Sequence, residues 1–348
     1  MRNKKLLSCL IKHHETLAVA VFSFFLLFGL GFHIMLYFPL HQSPDIQTYL
    51  AMAQWDFDQS EIRKYRIIIP IIAGLINTLF HPLFEIMAPW TFQGDFSLCM
   101  SFLLINTGFM SLSAVFIYKI SKIYLDNKMV CGIALLAFLS NRWTLETSGL
   151  PLVDSLYLLS IVLGIYGMLS KKWPLILCSI LIGPWAKEAY IFMIPLLIFY
   201  GYPSRLKLAW SLLLSGCLVF SFRFLMDHYS AHHWSSSLLK DLDSFQTIPL
   251  AFKRLFSFHG LYELFSAIGL WFVFPLSALL FHTKEFTSKI LQHGRAIFIA
   301  YLPFVLLQAL LSADLGRMFY LAIPQVIIAV AVALDIWRKK LDCLTGMG

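Results

Sequence analysis

The stretch Pro44-Asp45-Ile46-Gln47-Thr48-Tyr49-Leu50-Ala51-Met52-Ala53 follows closely on an apolar run over residues 17–38. A helix needs about 20 predominantly apolar residues to cross the hydrocarbon core of a bilayer. The run therefore reads as a first membrane span, and the quoted stretch places a carboxylate just outside it. Ile46, Tyr49, Leu50 and Ala53 recur at helical spacing, which predicts a short amphipathic helix on the membrane surface.

The whole chain supports a membrane reading. Its 348 residues are 59% hydrophobic and only 13% charged, whereas soluble domains are roughly a quarter charged. The formal charge of +8 then marks cytoplasmic loops and contacts with anionic lipid, and nucleic-acid binding is discarded. Six cysteines, at 9, 99, 131, 178, 217 and 343, form no CxxC and mostly sit in apolar runs, where a thiol behaves as a small hydrophobe.

Arg2, Lys4, Lys5 and Lys12 precede the first run. Such a start resembles a signal sequence, but the run is longer than a signal core and lacks a small-residue cleavage site. Residues 1–16 are thus read as a cytoplasmic tail and residues 40–97 as a first extracytoplasmic loop. Within that loop Asp56, Asp58, Glu61, Arg63, Lys64 and Arg66 form a charged patch. The apolar run at 67–83 contains Pro70 and Pro82. A full crossing there would put Lys119, Lys122 and Lys128 outside, so an interfacial or re-entrant element is predicted.

Further spans are predicted at 98–119, 129–139, 152–170, 173–185, 190–202, 208–225, 264–281, 296–311 and 318–337. With both termini cytoplasmic, these make an all-α bundle of about ten spans, some short and tilted. Residues 227–263 form the longest outer loop. No fixed-period repeat or soluble domain interrupts this single membrane domain.

On this topology Asp45, Arg66, Glu146, Asp154, Lys187, Glu188, Asp314 and Arg317 all fall on or just below the outer face. Unpaired ionisable groups near hydrocarbon cost several kcal/mol, at about 2.5–3.5 on insertion scales, so they pair or line a water-filled cavity. Each residue also has a plainer reading. Asp45 either works chemically or caps the helix after Pro44. Lys187 and Glu188 either meet a substrate or neutralise each other. Asp314 and Arg317, one helical turn apart, are either an ion pair or a phosphate grip. Asp154 calls for an Arg or Lys across the bundle, and Glu146 in a short loop reads most simply as solvated. His228 and His232 are four apart, but no Asp, Glu or Cys completes a metal set, so with His233 they read as a solvated loop. Nucleotide, hydrolase and metalloprotease signatures are absent.

The pattern resembles the GT-C superfamily of integral-membrane glycosyltransferases, which includes protein O-mannosyltransferases and lipid A aminoarabinose transferases. Asp45 with the helix after it is similar to the acidic first loop of that group. Arg66-Ile67-Ile68-Ile69-Pro70 looks like its second loop helix. Thr147-Ser148-Gly149-Leu150-Pro151-Leu152-Val153-Asp154 resembles the outer end of a middle span, and Lys187-Glu188 with Pro195 the basic turn after it. The layout covers most of residues 17–225. Two features depart from it. Asp45 is followed by Ile46 rather than a second acid, which argues against a metal, and the large C-terminal soluble domain of several members has no counterpart.

The resemblance implies an inverting transfer from a polyprenyl-phosphate sugar to the hydroxyl of a lipid, glycan or protein acceptor, with no cofactor. Asp45 would take the hydroxyl proton. Lys187, Arg317 and Arg66 would stabilise the leaving phosphate, with Glu146, Asp154, Glu188 and Asp314 in support. The implied setting is a bacterial inner membrane with the site facing outward. Two rivals stay open. One is a polysaccharide polymerase or ligase, for which His228, His232, His233, Lys253, Arg254 and His259 in the outer loop would speak. The other is a transporter or flippase for lipid-linked sugars.

Overall fold

The run after the basic N-terminus forms one helix, α1 (Arg2–Tyr37), which stops just before Pro39. A proline lacks the amide hydrogen that a continuing helix would use. This computed structural model describes residues 2–59, 62–90, 92, 94–200, 202–229, 247–311 and 314–345. Among the described residues every regular element is helical and no strand occurs, so the chain is all-α.

After α1 come α2 (Pro44–Ala53), α3 (Ile68–Ile86), α4 (Phe96–Tyr124), α5 (Lys128–Leu139), α6 (Arg142–Gly149), α7 (Asp154–Leu169) and α8 (Trp173–Ala186). They are followed by α9 (Ile194–Tyr200), α10 (Arg205–Tyr229), α11 (Thr247–Leu255), α12 (Phe258–Ile268) and α13 (Val273–Phe281). The last are α14 (Thr283–Ala296), α15 (Leu302–Leu311), α16 (Leu315–Phe319) and α17 (Ile323–Thr345). Several begin at side-chain caps: Asp95 accepts from the Leu98 amide at 2.8 Å, Asn127 from Val130 at 3.1 Å and Asn141 from Trp143 at 2.9 Å. Each cap satisfies an amide that the first helical turn leaves without a partner.

Five helices among the described residues are long and apolar enough to cross a membrane: His14–Tyr37, Ile68–Ile86, Phe96–Tyr124, Arg205–His228 and Leu315–Thr345. A sixth crossing results if Phe258–Ile268 and Leu270–Phe281 are joined, despite the 85° bend between them. Gly269 makes that bend at φ 76, a backbone region that costs glycine little. The chain is therefore a multi-pass membrane protein with five or six long apolar helices, against the ten crossings predicted. The difference lies in the shorter apolar helices Lys128–Leu139, Asp154–Leu169, Trp173–Ala186, Glu188–Tyr200 and Ile299–Leu311. Ile68–Ile86, where a surface or re-entrant element is predicted, is one continuous helix with Pro82 inside it.

α7 lies at the centre, buried on nearly all sides and packed on α8 and α4. A helix that is apolar all round belongs in such a position. Its few polar groups are paired: Ser155 donates to Asn106 at 2.6 Å, and Ser179 of α8 donates to the Ser160 carbonyl at 2.6 Å. Large apolar residues such as Phe25, Leu79, Trp210, Phe224 and Leu280 cover the outside, as suits a surface that faces lipid. α1 crosses α6 at Gly31 and Gly149, where a Cβ on Gly149 would run into the Gly31 carbonyl oxygen.

α7 and α8 form a hairpin, so Asp154 at the start of one and Lys187 just past the end of the other share one end of the bundle. Sixteen helical residues place the connecting turn at 170–172 about 24 Å away. Within the 227–263 segment, residues 227–229 complete α10, 247–255 form α11 and 258–263 begin α12. His232 and His233 lie outside the described residues.

Candidate functional site

Helix α2 turns its apolar face, Ile46, Tyr49, Met52 and Ala53, into the bundle. Asp45 stands in its first turn, where the aligned peptide dipoles favour a negative charge. Its carboxylate accepts from Arg317 Nη1 at 2.7 Å and is paired with Arg63. The Arg317 guanidinium continues to Asp154, which takes Nε at 2.9 Å and pairs with Nη2 as well. Asp154 gives its other oxygen to Lys187 Nζ at 3.0 Å.

Next to this chain of charges, Arg66 grips Glu188 through both arms, Nε at 3.1 Å and Nη2. A bidentate pair of this kind is stronger and more directional than a single charged contact. Arg66 Nη1 also donates to the Tyr49 hydroxyl at 2.8 Å, and the Lys187 ammonium lies 5.7 Å from the Tyr157 ring centre. Arg66, Asp154 and Lys187 expose 9%, 5% and 6% of their surface. They sit where an unpaired charge is not tolerated.

Five segments far apart in sequence thus meet at one end of the bundle: α2, the turn at Ile62–Tyr65 with Arg66, the start of α7, the turn after α8, and α16. Arg63, Arg66, Lys187 and Arg317 face Asp45, Asp154 and Glu188. Among the described residues, four cations meet three anions in these pairs. Burial pushes the Asp45 carboxyl up, but the Arg317 and Arg63 guanidiniums outweigh it and hold Asp45 below the usual carboxylate range. Burial raises the Tyr49 hydroxyl to about 12, so it stays neutral.

Six of the eight residues singled out in the sequence belong to this cluster: Asp45, Arg66, Asp154, Lys187, Glu188 and Arg317. Lys187 and Glu188 diverge to different partners instead of neutralising each other. Asp314 accepts from the Arg317 backbone amide at 3.0 Å, so it sets the start of α16, while the Arg317 side chain serves Asp45 and Asp154. Glu146 stands apart, bonded at 2.6 Å to Arg142 of its own helix.

The sequence reading missed Tyr49 and the role of Arg63, and it missed a second buried pair. Lys64 reaches Asp227 of α10 at 2.6 Å, and the Tyr65 hydroxyl donates to the same carboxylate at 2.6 Å. His228, beside Asp227, is exposed. Among the described residues no three His, Cys, Asp or Glu are grouped so as to hold a metal.

No family model, curated protein or solved structure matches this chain.

Proposed function

We propose that the chain is an inverting glycosyltransferase that moves a sugar from a polyprenyl-phosphate donor to an acceptor hydroxyl at the outer face of a bacterial inner membrane. The observation that carries this reading is the convergence of Asp45, Arg317, Lys187 and Arg66 in one largely buried, cation-rich cluster at the end of an apolar bundle. A carboxylate beside surplus cations is what the reaction needs. Asp45 takes the proton of the acceptor hydroxyl while that oxygen attacks the anomeric carbon, and the departing phosphate gathers charge next to Arg317, Lys187 and Arg66.

Held by two guanidiniums, Asp45 is a weak base. The donor phosphate competes for Arg317, and each step of that exchange frees the carboxylate to accept a proton. Asp154 keeps Arg317 and Lys187 in position meanwhile, because it holds both from below.

This reading includes ten crossings, with the five shorter apolar helices spanning at a tilt. It also has α3 lying along the outer surface. Gly74 of α3 packs on the Ala53 carbonyl at the end of α2. Asn77 accepts from Ser97 at 2.5 Å, where α4 begins. These contacts, with the end of α2 and the start of α4, support that placement.

A second reading, a flippase for lipid-linked sugars, draws on the 85° break between Phe258–Ile268 and Leu270–Phe281, a feature frequent in transporters. One experiment separates the two. Purified protein in vesicles is given a mixed pool of polyprenyl-phosphate sugars and acceptors, as native chain and as Asp45→Asn. Transfer by the native chain and a loss of roughly a hundredfold or more in the variant, with donor binding kept, supports the base. Transfer that survives the substitution, or movement of lipid across the bilayer without transfer, overturns it.

A further inference from the structure

At the end of the bundle opposite the charged cluster, the α7–α8 turn and the last turns of α4 border an open hollow of about 690 Å³. That volume lies within the range that ligand sites occupy. Lys119, Lys171 and Lys172 line it with Phe116, Tyr166 and Trp173, and among the described residues no carboxylate lines it. Aromatic rings hold two of the ammoniums: Lys119 Nζ lies 5.4 Å from the Phe116 ring centre and Lys172 Nζ 5.4 Å from that of Tyr166. The two rings pack against each other with centres 5.4 Å apart.

Lys171 and Lys172 are exposed and Lys119 is half-buried, so the three ammoniums stand at the mouth of the hollow, where a headgroup can reach them. The lysines come from two separate segments and surround one hollow. Lys171 occupies a left-handed backbone position, φ 53, where glycine or asparagine costs less. The hollow opens where a helix of 16 residues beginning at Asp154 ends, about 24 Å from the charged cluster. That distance is on the scale of the roughly 30 Å hydrocarbon core, so the hollow meets the headgroup layer of the other leaflet. Basic pockets between spans on the cytoplasmic side take anionic lipid headgroups, and Tyr and Trp settle at the same depth.

We propose that this hollow binds the headgroup of an anionic phospholipid. The phosphate lies between Lys119 and the Lys171–Lys172 pair, and the glycerol edge rests on Tyr166 and Trp173. The inference rests on the chain being a membrane protein and is independent of the transfer reaction.

The test uses the full-length protein in nanodiscs of phosphatidylcholine with or without phosphatidylglycerol, with bound lipid read by native mass spectrometry and stability by thermal unfolding. The native chain is expected to retain phosphatidylglycerol through delipidation and to unfold at higher temperature in its presence. A lysine near an anionic surface contributes about a factor of five in binding, so Lys119→Gln/Lys171→Gln/Lys172→Gln should retain the lipid roughly a hundredfold less.

A control with equal charge change at the same end, Lys207→Gln/Lys284→Gln/Lys340→Gln, should retain it as the native chain does. Equal loss in the control, or equal retention of phosphatidylcholine and phosphatidylglycerol by the native chain, overturns the proposal. So does displacement of the lipid by millimolar inorganic phosphate, which would make the ligand a soluble anion. If the triple variant does not fold, Lys172→Gln and the native comparison of the two lipids decide in the same way.

Discussion

Asp154 holds one carboxylate between two cations, Lys187 at 3.0 Å and Arg317 at 2.9 Å, with 5% of its surface exposed. Removing one member of a buried ion pair costs about 3–5 kcal/mol, because the remaining charge stays desolvated and unpartnered. Asp154→Asn is therefore expected to lower the unfolding temperature markedly, whereas Asp154→Asn combined with Lys187→Met should recover a large part of the loss. Thermal unfolding of the two single variants and the double one, in one detergent, checks this. Losses that simply add would show that the pair does not act as a unit. Six members of the cluster were legible in the sequence because so few charges occur in so apolar a chain that those near one face have to find each other. Their pairing was not legible. Arg63, Lys64 and Arg66 read as one charged patch, but in the tight turn at Ile62–Tyr65 side chains three apart eclipse. Arg63 and Arg66 therefore face the cluster together, and Lys64 points away to Asp227.

Among the helices, α1 is tied to the rest by close crossing as well as by apolar contact. Gly149 of α6 meets the Gly31 carbonyl so closely that no side chain fits, while Gly108 of α4 has nothing within 4 Å of an added Cβ. Gly149→Leu is expected to push α1 from α6, with a loss of about 1–3 kcal/mol from overpacking. It should also disturb Asp45, because the chain continues from α1 into α2. Gly108→Ala should be neutral or slightly stabilising. Unfolding temperatures of the two variants, measured side by side, test the contrast, and equal behaviour would rule out a tight crossing. From the sequence the presence of most helices was plain in the apolar runs, and the cap Asn127 sits where one of them begins, but the polar stretch 142–149, read as a short loop, forms α6. Helix lengths were harder to read. The 227–263 segment was taken as loop because of its polar residues, yet its described parts are mostly helical, since amphipathic stretches such as Thr247–Leu255 need only one apolar face.

At the scale of the whole molecule, opposite ends arrange their charges differently. One end gathers acids and bases into the buried cluster; the other gathers the lysines around Tyr166, and Asp335 with Lys289, Arg338 and Lys339. Single cysteines in a cysteine-free background would show which end faces outward. Asp56→Cys is expected to react with an impermeant thiol reagent applied to intact cells, and Lys340→Cys only after the cells are opened. Trp90→Cys, at a residue 96% exposed beyond α3, should react with Asp56→Cys if α3 lies along the surface. Reaction from the other side would make α3 a crossing and reverse the order of every later span.

The helix that begins at Leu315 continues to Thr345, with Arg317 bound near one end and Asp335 bound near the other. Asp335 comes eighteen residues after Arg317, about 27 Å along the helix, close to the thickness of the oily layer around it. Fastened at both ends, this strut works as a ruler. A thinner bilayer tilts it, and a thicker one has to thin locally around it. The depth at which Arg317 meets Asp45 is therefore set partly by the length of the lipid tails in which the protein lives.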